Sequence, residues 1–164
     1  MARSLIIGCG CRGLMLARSL SDRGHSVRGT TRDPGRLGEL GTAGVDAVLG
    51  DPDRVATLVP ALDHVTVACI LLGSASGSGD RLQALHGPRL EMLLSKMVDT
   101  TIKGVVYEAG GTVDKELLRA GAARVRAFAR DSHAALQLLD ADPADPGSWL
   151  EAAVGAVDQV LAAD

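Results

Sequence analysis

The run Gly8-Cys9-Gly10-Cys11-Arg12-Gly13 has the spacing G-x-G-x-x-G. That spacing lets a protein backbone meet a pyrophosphate. Gly8 would permit a tight turn out of a strand, Gly10 would leave room for the phosphates, and Gly13 would let the next helix pack close to the strand. First-turn amides and the positive end of the helix dipole would then face the anion. Because the chain has 20 glycines, the weight of the motif rests on its context. It follows the apolar run Leu5-Ile6-Ile7 and opens a helical pattern, as the motif requires. A tight strand-to-helix turn with no ligand is the alternative reading. Cys9 and Cys11 form a C-x-C pair, but no Cys or His cluster completes a metal site at usable spacing. We therefore read both as small fillers of the loop and expect no metal.

A second run, Gly29-Thr30-Thr31-Arg32-Asp33, lies about 20 residues on, where an NAD site places Asp or Glu to accept from the ribose 2′-OH. Thr31 fills that position here and Arg32 follows. A carboxylate would repel a 2′-phosphate, whereas a guanidinium can hold it with two parallel charge-assisted bonds. This favours NADP(H) over NAD, with Thr31 and Arg32 as its contacts. A solvated surface arginine is the plainer reading of Arg32, and Asp33 reads as a helix N-cap. Further on, Leu72-Gly73-Ser74 begins a small-residue loop where the cofactor should pass. Glu108 ends a later apolar run; there it would bind a ribose hydroxyl, act as general acid/base if burial raises its pKa, cap the Gly110-Gly111 turn, or pair with an arginine.

These residues need elements to position them, and the chain alternates short apolar runs with helical patterns. Strands are expected at 4–8, 26–31, 45–49, 64–72, 103–109 and 134–139. Helices are expected at 12–23, 33–41, a short one from Asp51-Pro52 to near Leu62, a long one over 80–98 that Gly87-Pro88 bends or interrupts, 114–130, and a last one opened by a Ser148/Glu151 capping box. Strict alternation implies a parallel sheet with helices on both faces. The expected fold is a Rossmann-type three-layer α/β/α domain over residues 1–164, a six-stranded sheet in order 3-2-1-4-5-6.

Composition narrows the function. Aromatic residues are 2% and the net charge is −3, so base stacking and a basic field for nucleic acid are both missing. No apolar run approaches the roughly 20 residues that span a bilayer, and no signal peptide is evident. An odd number of cysteines, 3, argues against a disulfide framework and points to a reduced, cytoplasmic setting. The leucines and methionines of 80–98 exceed one stripe, and Met92 falls outside it, which suggests a homodimer face. Tyr107 reads as a half-buried strand residue, Trp149 as an apolar anchor, and His86 as a histidine of uncertain facing.

The stretch from Leu5 to Leu37, with IIGCGCRG and then RGHSVRGTTRDP, resembles the N-terminal half of extended and atypical short-chain dehydrogenase/reductases, especially the epimerase/dehydratase-like and NAD(P)H-binding members. The likeness continues more loosely through VVYEAGG. It implies a dinucleotide cofactor and hydride transfer. The same resemblance implies a Ser and a Tyr-x-x-x-Lys pair, but Gly111 stands four residues after Tyr107, the chain's one tyrosine, and the C-terminal substrate extension has no counterpart. Two readings follow: an atypical NADP(H)-dependent oxidoreductase acting on an unknown small molecule, or a non-catalytic cofactor sensor or partner subunit. A third, the gating domain of an ion transporter, would keep the acid that Thr31 replaces.

Overall fold

The computed structural model describes residues 2–163. Its strands are β1 (Arg3–Ile7), β2 (Ser26–Thr31), β3 (Asp46–Leu49), β4 (Val67–Ile70), β5 (Gly104–Glu108) and β6 (Ala135–Leu139). All neighbours pair in parallel, in the order β3-β2-β1-β4-β5-β6. The expected Rossmann-type topology is what the chain adopts. Its helices are α1 (Cys11–Asp22), α2 (Leu37–Thr42), α3 (Gly79–Leu85), α4 (Pro88–Met97), α5 (Lys115–Ser132) and α6 (Pro146–Ala162).

Strand side chains alternate between faces, and here both faces are covered. Ile6, Val67, Cys69 and Val106 pack with α1 and α6. Leu5, Ile7, Ala68, Ile70, Val105 and Tyr107 pack with α3, α4 and α5. The central strands are therefore continuous apolar runs, as a doubly covered parallel sheet demands. Alternation at the end of β5 sends Tyr107 toward α5 and Glu108 toward α6, and both are fully buried.

Two local expectations need correction, and a third is met. Of a bend or an interruption at Gly87-Pro88, the structure shows the interruption: residues 80–98 form two helices, α3 and α4, with the break at His86-Gly87 and Pro88 at the first position of α4. The proline lacks the amide a continuous helix would need. Asp51-Pro52 opens a turn rather than a helix; two 3-10 turns follow, Val55–Thr57 and Val59–Leu62. The capping box of the last helix is replaced by Asp145-Pro146. Asp145 accepts from the Ser148 N–H at 3.2 Å and from the Ser148 hydroxyl at 2.9 Å, and these bonds hold its carboxyl below the ordinary range. An Asp N-cap with Pro at the next position is the stronger start signal.

The break between α3 and α4 frees His86 to turn inward, where it is 2% exposed. Its Nε2 lies 3.0 Å from the Leu72 carbonyl oxygen and its Nδ1 2.6 Å from the Tyr107 hydroxyl. A carbonyl only accepts, so Nε2 carries the proton and Nδ1 accepts from Tyr107. Burial lowers the His86 pKa, with the Leu72 bond opposing, and keeps the ring neutral. Tyr107 is therefore not the half-buried residue expected; its hydroxyl faces Gly121 of α5, whose missing side chain makes the room.

This packing predicts an inverted helix propensity. Gly→Ala inside a helix ordinarily stabilises by about 1 kcal/mol. At Gly121 a Cβ would meet Tyr107 Cζ at 2.8 Å and its hydroxyl closer still. Gly121→Ala is expected to destabilise by about 1–3 kcal/mol, read by chemical denaturation. A gain in stability would show that the Tyr107–His86 pair is not rigidly placed.

Candidate functional site

The glycine loop sits where β1 and β4 part, at the carboxyl ends of the strands. Gly8 has φ +84°, and a Cβ there would meet the Leu71 carbonyl oxygen at 2.6 Å. Gly13 is close-packed, its Cβ position 3.2 Å from Ile6 and 3.3 Å from the Gly8 carbonyl oxygen. Gly10 differs: nothing of the protein lies within 4 Å of its Cβ position. Two glycines thus shape the turn and one opens outward. Thr30 of β2 fastens the loop, its hydroxyl accepting from the Gly8 N–H at 3.4 Å and its carbonyl from the Cys9 N–H at 3.2 Å.

The two loop cysteines part ways. Cys9 is buried against Gly29 of β2, and burial pushes its thiol up to about 11, Arg36 opposing and Glu39 adding. Cys11 is exposed at the first position of α1. Among the described residues no group of His, Cys, Asp or Glu is placed to hold a metal.

In front of the loop lies a cleft of about 450 Å³. The structure brings Gly8, Cys9, Gly10, Arg12, Thr31, Arg32, Leu72 and Ser74 together around it. Cys11 and Gly13 line a smaller recess of about 220 Å³ shared with Gly8, Gly10 and Arg12. Thr31 is buried, and its hydroxyl oxygen accepts from the Asp33 N–H at 3.1 Å. The Arg32 side chain is 56% exposed, with Nη1 3.8 Å from Asp53.

Sequence reasoning missed two arginines that also line the cleft, Arg36 and Arg81. Arg36 donates to the Cys9 carbonyl oxygen at 3.1 Å. Its signal was the turn Asp33-Pro34-Gly35, which reverses the chain after β2. Arg81 belongs to the first turn of α3, across the cleft, and donates to Asp53 at 2.7 Å and to the Ser76 carbonyl oxygen. Only the folded sheet brings it there. Four guanidiniums thus face a space that, among the described residues, no carboxylate lines.

Gly73 lies behind this wall. Its N–H donates to Glu108 Oε1 at 2.8 Å. Glu108 Oε2 accepts from the Trp149 indole N–H at 2.9 Å and sits 3.4 Å from Arg12, whose guanidinium stacks 5.3 Å above the Trp149 ring. Trp149 is thus an apolar anchor with a polar handle. Glu108 is a fully buried carboxylate whose oxygens are both engaged. Burial raises its pKa, while Arg12, the Gly73 N–H and Trp149 oppose. One side chain ties together the loop after β4, the start of α1 and the start of α6.

No protein-family model matches the chain, and no curated protein matches it in sequence. Solved structures do match in fold. BdcA (YjgI) from E. coli superposes with a TM-score of 0.73 at 15% identity, covering 94% of this chain and 89% of that one. Vestitone reductase from alfalfa gives 0.63 at 18% identity over 85% of this chain and 56% of the reductase. A UDP-glucuronic acid 4-epimerase from Bacillus cereus, crystallised with NAD, gives 0.65 at 15% identity over 84% of this chain and 55% of the epimerase. The chain spans little more than half the length of the latter two. Fold and loop define a Rossmann-type protein, and the structural neighbours agree in fold with the resemblance read in the sequence.

Glu108→Gln tests the buried carboxylate. The amide can still accept from Gly73, but its NH₂ would face the Trp149 N–H, donor against donor. The expected cost is about 1–3 kcal/mol at neutral pH. Because the folded-state pKa of Glu108 lies above its unfolded value, the folded chain holds a proton that the unfolded chain releases earlier. Wild-type stability relative to Glu108→Gln should therefore be greatest below the ordinary carboxylate range and decline as pH rises through the elevated pKa. Denaturation curves from acid to neutral pH check this; a difference that grows with pH reverses the assignment.

Proposed function

We propose that this chain binds NADP(H) and works as an atypical short-chain-type oxidoreductase. The observation that carries the reading is the open cradle at Gly10 beside a cleft lined by four arginines. The loop and first-turn amides of α1 would take the pyrophosphate, with Arg12 beside it. Arg32 and Arg36, at the end of β2, would take the 2′-phosphate. Leu72 and Ser74 would floor the path toward the nicotinamide. A structural neighbour crystallised with NAD lends support at the level of fold.

When bound, the cofactor would supply the hydride. The chain's own residues would supply binding, orientation and charge. Two candidate proton donors are already committed: the Tyr107 hydroxyl bonds His86 and burial pushes its pKa upward, while both Glu108 oxygens accept hydrogen bonds. This specific feature favours the second reading, a cofactor-binding sensor or the nucleotide-binding subunit of a larger assembly. A cytoplasmic setting fits three cysteines that are all free. Among the described residues no helix is long and apolar enough to cross a membrane.

Calorimetric titration with NADPH and NADH tests the binding claim. Gly10→Asp should stay folded, since its side chain enters open space, yet lose both nucleotides through bulk and like charge. Arg32→Ala should lose about tenfold in NADPH affinity, the scale of one charged hydrogen-bond set, and little in NADH affinity. Unchanged affinity in a folded Gly10→Asp would remove the reading.

A homodimer through α3 and α4 is proposed on narrower ground than the sequence offered. Leu85, Leu90, Leu93, Leu94 and Met97 are all buried within their own chain, while Met92 is 54% exposed and Val98 49%. Light scattering at tens of micromolar, about the level where weak pairs form, should show a dimer that Met92→Lys dissolves. A monomer overturns it.

A further inference from the structure

The fold brings three arginines to one carboxylate at the mouth of the cleft. Asp53 lies in the turn after β3. Its Oδ2 accepts from Arg81 at 2.7 Å and stands 3.8 Å from Arg32; its Oδ1 accepts from Arg89 of α4 at 2.7 Å. Arg32 and Arg81 line the cleft and Asp53 does not. The Asp53 side chain is 20% exposed, so its charge is screened less than that of a fully solvated residue. The turn is itself fixed, because Asp51 Oδ1 accepts from the Asp53 N–H at 2.9 Å.

We infer that Asp53 sets the balance between NADPH and NADH, acting through Arg32 and Arg81 as a positioning residue; the inference rests on the dinucleotide reading above. A 2′-phosphate near Arg32 must share that guanidinium with a resident carboxylate and feel the carboxylate's repulsion. Its affinity is tempered. A ribose with a plain 2′-hydroxyl leaves the arginines without a phosphate, and there Asp53 keeps them partnered, so NADH is not penalised by exposed, unpaired cations. The end of β2 lacks the acid of an NAD site, and the turn after β3 supplies one from the side. The wild-type protein therefore takes both nucleotides, with a moderate preference for NADPH.

The geometry also explains why Arg32 is the responsive member. Arg81 and Arg89 each make a close bond to Asp53, while Arg32 is the looser, more exposed partner. A phosphate draws Arg32 away first, and the remaining pair still holds α3 and α4 to the turn.

The test is the ratio of NADPH to NADH affinity, measured on the full chain by titration. Asp53→Asn should raise the ratio about two- to fivefold, the range a partly screened ion pair supports. The rise comes from tighter NADPH, with NADH unchanged or weaker. Asp80→Asn makes the same change of net charge one residue before Arg81, at an exposed position outside the Asp53 cluster, and should leave the ratio in place. If Asp53→Asn fails to fold, as melting would reveal, Asp53→Ser answers the same question. A ratio that falls or stays constant in a folded Asp53 variant overturns the inference while leaving dinucleotide binding intact. So does an equal shift in Asp80→Asn, which would mean a general field. No binding of either nucleotide by the wild-type chain overturns both readings together.

Discussion

The buried carboxylate of Glu108 is the constraint on which the site depends. A carboxylate taken out of water is costly unless its oxygens find donors. Here the Gly73 amide after β4 and the Trp149 indole of α6 donate, and the Arg12 guanidinium of α1 adds an ion pair at 3.4 Å. Satisfying one side chain therefore fixes the floor of the cleft, the start of the glycine helix and the last helix relative to one another. Gly73 must lack a side chain for this, since a Cβ there would meet Glu108 Cγ at 2.8 Å. The loops after β4 and β5 lock further where Val113 donates to the Gly73 carbonyl oxygen at 3.0 Å.

Charge is arranged around that anchor in layers. Each cleft arginine has a carboxylate partner set to the side of or behind the cleft: Glu108 for Arg12, Glu39 for Arg36, and Asp53 for Arg32 and Arg81. The open space receives the positive side of each pair. With the dipole of α1 pointing the same way, the cleft suits an anion, although the chain as a whole carries a net −3. Overall charge describes solubility; the local arrangement describes the ligand.

On the other side of the sheet, the Tyr107–His86 pair reaches the same strand end by a different route. His86 holds the Leu72 carbonyl while Tyr107 holds His86. Two polar residues that suggest acid/base chemistry are thus spent on placing the β4 end.

The sequence by itself determined the parts that are local. An apolar strand before G-x-G-x-x-G and Asp33 as a cap after β2 act through neighbouring residues, because turns, caps and period are short-range physics. Strict alternation implied the parallel sheet, and the glycine fingerprint pointed to the order 3-2-1-4-5-6. The absence of an acid at Thr31 was equally legible. Only tertiary structure decided which side chains meet. Glu108, Trp149 and Arg12 are far apart in the chain, as are Asp53, Arg81 and Arg89, and nothing in local spacing encodes their contact. The break at Pro88 was visible, but not its consequence, a buried His86 bonded to Tyr107. Helix-breaking is a property of one residue; the place a freed side chain then takes is set by the packing of the whole sheet.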